Sequence, residues 1–151
     1  MSITKQSSDA LAKRLAALPA EIVAKVQPAI VKSVEEVAAD ARTLAEASRS
    51  TVSLVESIAA TGPNGATPAY ASEGGRRTAH PLQGFVTAGN PDARHGHLVE
   101  FGTEERHHAD GTSTGTMPAR PFLLPSWRLN RARVQRRINS AISRAIREAS
   151  Q

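Results

Sequence analysis

Apolar residues recur at intervals of three and four through the first third of the chain. Val23, Val26, Ile30, Val34, Val37, Ala41 and Leu44 form one stripe, which predicts a long helix over residues 20–48. Pro19 stands where a first-turn proline is tolerated, whereas Pro28 lies inside the stripe and is expected to kink or split the helix. Upstream, Leu11, Leu15 and Leu18 predict a further helical segment, with Ser7, Ser8 or Asp9 as its cap. Val52, Leu54, Glu56 and Ile58 alternate as a strand would, while Val55 and Ile58 also fit a continued helix. The Gly- and Pro-dense run "GPNGATPAYASEGGRRTAHPLQG" predicts a long exposed loop, with a hairpin as one form of it. "GFVTAGN" and "HLVEFGT" read as two short strands, joined through "GNPDARHG" into an antiparallel hairpin. Alternation along the second would put Val99 and Phe101 on one face and Leu98 and Glu100 on the other. Residues 103–117 read as a polar contact loop, mobile in the free chain and ordered against a neighbour. Pro118, Pro121 and Pro125 should hold the next segment extended or turned. From about Ser126 the helical period returns, with Trp127, Val134, Ile138, Ala141, Ile142 and Ala145 on one face. Arg128, Arg131, Arg133, Arg136, Arg137, Arg144 and Arg147 lie mostly elsewhere on this basic amphipathic helix.

The order is helices, a few strands, then a helix. It predicts an α+β fold with a long N-terminal helix or helices, a small antiparallel sheet with long loops, and a C-terminal amphipathic basic helix. The 151 residues fit one domain: helical over 7–48, strands and loops over 50–118, and a Pro-rich turn with the terminal helix over 119–149. Hydrophobic content is 40%, much of it alanine, and only 3% of residues are aromatic, so the core is thin and stability borrowed from partner subunits is expected.

Charge sharpens the division. Residues 1–118 hold 11 Lys/Arg against 13 Asp/Glu, a balance of −2, while residues 119–151 hold 8 Arg against one Glu, a balance of +7. The absence of cysteine excludes disulfides and Cys-based zinc sites and suits a reducing compartment. No apolar run reaches the roughly 20 residues of a membrane span, and the N-terminus carries no long apolar stretch, so neither a membrane nor a secretory signal is expected.

Three groups of residues invite a chemical reading. The five histidines all fall between His80 and His108. His95 and His97, two apart on a strand, would share a face, and His107 and His108 follow with Asp110, so a three-ligand metal site is conceivable. No carboxylate stands at a ligand spacing, and surface or interface histidines are the better reading. Glu100, Glu104, Glu105 and Asp110 could supply a general acid–base pair, but alternation isolates Glu100, which then suits an ion pair with an arginine. The arginine helix could contact phosphates, although the chain lacks the stacking aromatics of RNA readers and an evident DNA-recognition unit. No nucleophile elbow, phosphate-binding loop or zinc-protease motif occurs. Catalytic, cofactor and metal sites are accordingly not expected.

The order "SLVESI", "VTAG", "HLVEFGT", a variable loop, "PARPFLLPSW" and a terminal basic helix resembles the small neck and tail-completion proteins of long-tailed bacteriophages. Val99-Glu100-Phe101-Gly102-Thr103 with Pro121-Phe122-Leu123 and Pro125 is the most specific part; His95 and Gly96 stand where that family often has an aromatic-Ala pair. The resemblance implies a structural virion protein made in the host bacterial cytoplasm, with no enzymatic activity and no cofactor. Its copies would form a ring, a hexamer, at the head–tail connection. Head-closure, terminator or tail-tube proteins would be its neighbours, and phage DNA would pass without sequence-specific binding. A tail terminator ring is the nearest alternative, and a nucleic-acid-binding module the alternative of a different class. The assembly residues implied are Glu100, Phe101, Gly102, Thr103, Pro121, Phe122, Leu123, Trp127, Arg128 and Arg131. In this reading Phe122, Leu123 and Leu124 supply the apolar burial of a docking turn that launches the basic helix.

Overall fold

A computed structural model of the chain describes residues 9–10, 13, 18–48, 50–71 and 75–151. The expected N-terminal helix around Leu11 and Leu15 falls largely outside the described residues. The fold is α+β. Helix α1 (Ala20–Ala47) and α2 (Val52–Glu56) lead into strand β1 (Ile58–Thr61), then β2 (Phe85–Ala88), α3 (Gly96–Phe101), β3 (Thr103–His107), β4 (Ser113–Met117) and α4 (Leu123–Ala149).

Helix α1 forms where its period predicts, starting directly after Pro19. It is not split at Pro28. Both Pro28 and Ala24, whose carbonyl loses its intrahelical donor, are exposed, so water can replace the missing hydrogen bond. The buried face of α1 ends in Ala38, Ala41 and Ala45, all at 0% exposure. These small residues let Leu54, Ile58, Val99 and Phe122 approach the helix backbone closely, and together they make the main core. A second, smaller cluster joins Val26 and Ile30 of α1 to Ala145 near the far end of α4.

After α1 the chain takes both alternatives left open by the sequence. Thr51 Oγ1 accepts the Leu54 N–H at 3.3 Å and caps the single turn α2, and Ile58 then begins a strand. Strand β1 pairs antiparallel with β2 in the register Ile58↔Ala88 to Thr61↔Phe85, and Arg42 ties α1 to it by donating to the Ile58 carbonyl at 2.7 Å. The Gly/Pro-rich excursion between them doubles back on itself. Thr67 donates its N–H to the Arg77 carbonyl at 2.8 Å, and Ala79 donates to the Gly65 carbonyl at 2.8 Å.

The expected strand over "HLVEFGT" is a helix, and the expected hairpin between it and "VTAG" does not form. Asn90 Oδ1 accepts the N–H groups of Asp92 and Ala93 at 3.0 and 2.8 Å, turning the chain back so that residues 96–101 coil as α3. Gly96 lies so close to the Ala88 carbonyl that a Cβ would sit 3.2 Å from it. Val99 and Glu100 therefore both point inward with Gly96, while Phe101 faces out, the reverse of the pairing that alternation predicts. The polar loop over 103–117 is likewise a hairpin, β3 against β4, closed by Gly111 and His108 donating to the His108 and Thr112 carbonyls. The single small sheet expected from sequence is thus two separate two-stranded sheets.

Candidate assembly surface

The first four N–H groups of a helix have no intrahelical acceptor. At the start of α4 one side chain answers three of them. Glu100 Oε2 accepts from Phe122 and Leu123 at 2.8 and 2.9 Å, and Oε1 accepts from Leu124 at 2.9 Å. Pro125 brings no N–H, and Ser126 donates to the Phe122 carbonyl at 3.3 Å, so the intrahelical ladder takes over there. Glu100 is 4% exposed and makes no ion pair among the described residues. The ion pair with arginine expected from sequence is replaced by this cap, because a carboxylate at a helix N-terminus gains charge-assisted hydrogen bonds and the favourable end of the helix dipole.

The same contact explains the docking turn. Arg120 donates its N–H to the Val99 carbonyl at 2.8 Å and its guanidinium to the Ser48 carbonyl at 3.1 Å, pinning "PARPF" across α3 and the end of α1. Phe122 is fully buried in the main core and Leu123 half-buried, but Leu124, expected to bury with them, is 43% exposed because the first turn of α4 carries it outward, and Pro121 is exposed too. Gly102, at φ 72°, ends α3, and Thr103 Oγ1 accepts the Met117 N–H at 3.0 Å at the foot of the hairpin. Phe101 is 70% exposed beside them.

Helix α4 lies along α1, with a polar stretch in their seam. Asn130, fully buried, donates to Asp40 Oδ2 at 2.6 Å and to the Ser126 carbonyl at 2.9 Å, and accepts from Arg133. Arg137 Nη2 donates to both oxygens of Glu36 at 2.9 and 2.7 Å, and Nη1 donates to Ser33 Oγ at 3.1 Å. Hydrogen bonding to Arg137 holds the Glu36 carboxyl below the ordinary glutamate value. The face of α4 that meets α1 is therefore centred on Ser126, Asn130, Val134 and Ala145. It leaves Trp127 and Ile142 at 43% and 36% exposure.

Turning that face toward α1 opens a groove. Ile30, Val34 and Val37 of α1, Leu82, Phe85 and Val86 across the floor, and Leu123, Trp127, Val134 and Ile138 of α4 enclose about 450 Å³. The lining is mainly apolar, with Ser33 and Gln83 as its polar side chains, so the cleft suits an apolar occupant. Arg128 and Arg131 are not part of its lining; both are exposed and outside any ion pair among the described residues.

The histidines do not converge. His95 stands at the N-cap position of α3 without a side-chain cap and sits 3.4 Å from Thr51 Oγ1, and His97 is exposed two residues further on within the helix, so the two do not share a strand face. His107 and His108 are exposed at the hairpin tip. Among the described residues no three of His, Cys, Asp and Glu approach a metal-binding geometry, and no helix is long and apolar enough to cross a membrane. Sequence reasoning missed the seam of Ser33, Glu36, Asp40 and Asn130, whose polar character hides them from hydrophobic periodicity. It also missed the β3–β4 hairpin, for which Asp110-Gly111 was a usable turn signal. No family model, curated protein or solved structure matches the chain.

Proposed function

We propose that the chain is a structural ring subunit at the head–tail connection of a tailed phage, joining or completing the tail. The observation that carries this reading is the Glu100 clasp. The two motifs that resemble the neck and tail-completion family, Val-Glu-Phe-Gly-Thr and Pro-Phe-Leu, are one structural device: Glu100 of the first caps the helix that begins in the second. Val99, Glu100 and Phe122 of these motifs are buried in holding α3, the docking turn and α4 together. What remains exposed is suited to contact rather than catalysis: an apolar groove, Phe101, and a hairpin whose residues are nearly all exposed.

Deleting the gene tests the reading. A joining subunit predicts filled heads and normal-length tails that fail to unite. Overlong tails would instead assign the chain to the terminator ring, since an uncapped tube continues to polymerise. United, infectious particles would remove the proposal.

The exposed arginines of α4 favour one further reading, contact with nucleic acid. Weak, sequence-independent binding to short duplex DNA that fades steeply with salt fits a wall beside passing DNA. Tight sequence-selective binding would support the separate nucleic-acid module, and absence of any binding at about 50 mM salt would remove it.

A further inference from the structure

Two surfaces left uncovered by the chain complement each other. One is the groove, lined in part by Phe85, Leu123 and Trp127. Arg131 follows Trp127 by one helical turn, so it lies on the same side of α4, exposed and outside any ion pair among the described residues. The other surface is the foot of the hairpin, where Phe101 at 70% exposure and Met117 at 36% surround a hollow with Glu104. Glu104 is also exposed and joins no ion pair among the described residues. The first is an apolar cleft with a cation beside it; the second is an exposed aromatic with an anion beside it.

We infer that the hairpin foot of one copy seats in the groove of the next, Phe101 entering against Trp127 and Phe85 while Glu104 faces Arg131. This rests on the ring reading and names its contact. The two surfaces share no residue, so the contact is heterologous: each copy gives a foot to one neighbour and a groove to the other, and repetition gives a ring when the rotation per copy closes and an open filament when it does not. A second copy is the favoured occupant because both halves of the match, apolar and ionic, lie on this chain. The arrangement also covers a two-stranded hairpin that is marginal when it stands alone.

Because the chain has no cysteine, engineered cysteines report cleanly. Thr116→Cys, at the hairpin foot, and Gln83→Cys, in the groove, are placed in separate copies and mixed under mild oxidation. Disulfide-linked pairs of the two variants should form about tenfold faster or more than pairs of Thr116→Cys with Glu46→Cys, through proximity alone. Phe101→Ser, at an exposed position that the fold does not need, should abolish the excess. In light scattering, Glu104→Arg and Arg131→Glu should each dissociate the assembly, and the two together in one chain should restore it. An oligomeric wild type that shows no preferential cross-link and ignores Phe101→Ser and both charge reversals would overturn this interface and leave the ring reading standing. A wild type that stays monomeric at millimolar concentration without cross-linking would overturn this contact, and the deletion phenotype would then decide the ring reading. Cross-linking of the groove cysteine to a different head or tail protein in assembled particles, and not to Thr116→Cys, would give the groove to that partner and overturn the inference.

Discussion

Glu100 and Glu36 are both glutamates at helix contacts, yet they serve different ends. Glu100 is buried and satisfies three backbone donors that water reaches poorly. Glu100→Ala leaves those donors without acceptors and should lower the unfolding free energy by about 2–3 kcal/mol, read as a lower urea midpoint with an unchanged slope. Glu100→Gln keeps one acceptor oxygen and should fall between the two; an alanine variant as stable as the wild type would show that the cap is dispensable. Glu36 works through charge. Its side chain is 30% exposed, and its carboxyl is held below its ordinary value chiefly by the hydrogen bond from Arg137. A carboxyl whose folded value is depressed contributes stability that is fully present above its unfolded value, near 4.5, and is lost as pH falls through the lower folded value. Glu36→Gln should therefore lower the melting temperature above about pH 4.5, where the contribution is present, and converge with the wild type as pH falls, so that its acid limb is flatter. Solvent screening keeps that effect modest. An unaltered acid limb in the variant would show that other carboxylates dominate it.

At the scale of elements, the hairpin hangs on one glycine. Gly102 adopts φ 72°, and a Cβ there would lie 2.7 Å from the Ala119 nitrogen and 2.8 Å from the Met117 carbonyl oxygen. Both obstacles are backbone and cannot swing aside, so Gly102→Ala should cost about 1–3 kcal/mol and raise hydrogen exchange over β3 and β4 ahead of α1. Protection factors in the hairpin equal to those of the wild type would count against this hinge. The sequence made the long elements legible: seven apolar residues locate α1, and the alternation of apolar and arginine positions locates α4, because each pattern runs for several turns. Short elements were not legible on those terms. Six residues of α3 cannot separate a period of two from one of 3.6, and what decides them is remote: the Asn90 turn, the approach of Gly96 to β2 and the Glu100 cap. The pairing of β1 with β2 spans an excursion with no periodic signal of its own. At the candidate surface, Phe122 could be read from its proline-framed setting. The burial of Asn130 and the exposure of Phe101 follow from how α4 and α3 are turned, which no local pattern encodes.

For the whole molecule, charge separates what folds the chain from what it presents. The core clusters are apolar, and the ion pairs among the described residues are the Lys25 pairs with Glu21 and Glu148 and the Glu36 pairs with Arg133 and Arg137. Counting all eight arginines, the paired ones included, against Glu148, residues 119–151 carry a balance of +7, against −2 over residues 1–118. Copies that meet through opposite halves of this distribution attract; copies that meet arginine face to arginine face repel. The association should then weaken as salt rises, because the screening length shrinks from about 10 Å at 0.1 M to about 3 Å at 1 M. Unfolding should respond far less, since apolar burial is not screened. Light scattering and thermal melts on the same samples separate the two effects. The expected result is an oligomer that moves toward monomer across this range while the melting temperature of the monomer shifts by no more than a few degrees. Association that strengthens with salt would make apolar contact at the groove the dominant attraction. Complementary charge would then be left to set orientation, bringing hairpin foot to groove rather than like surface to like.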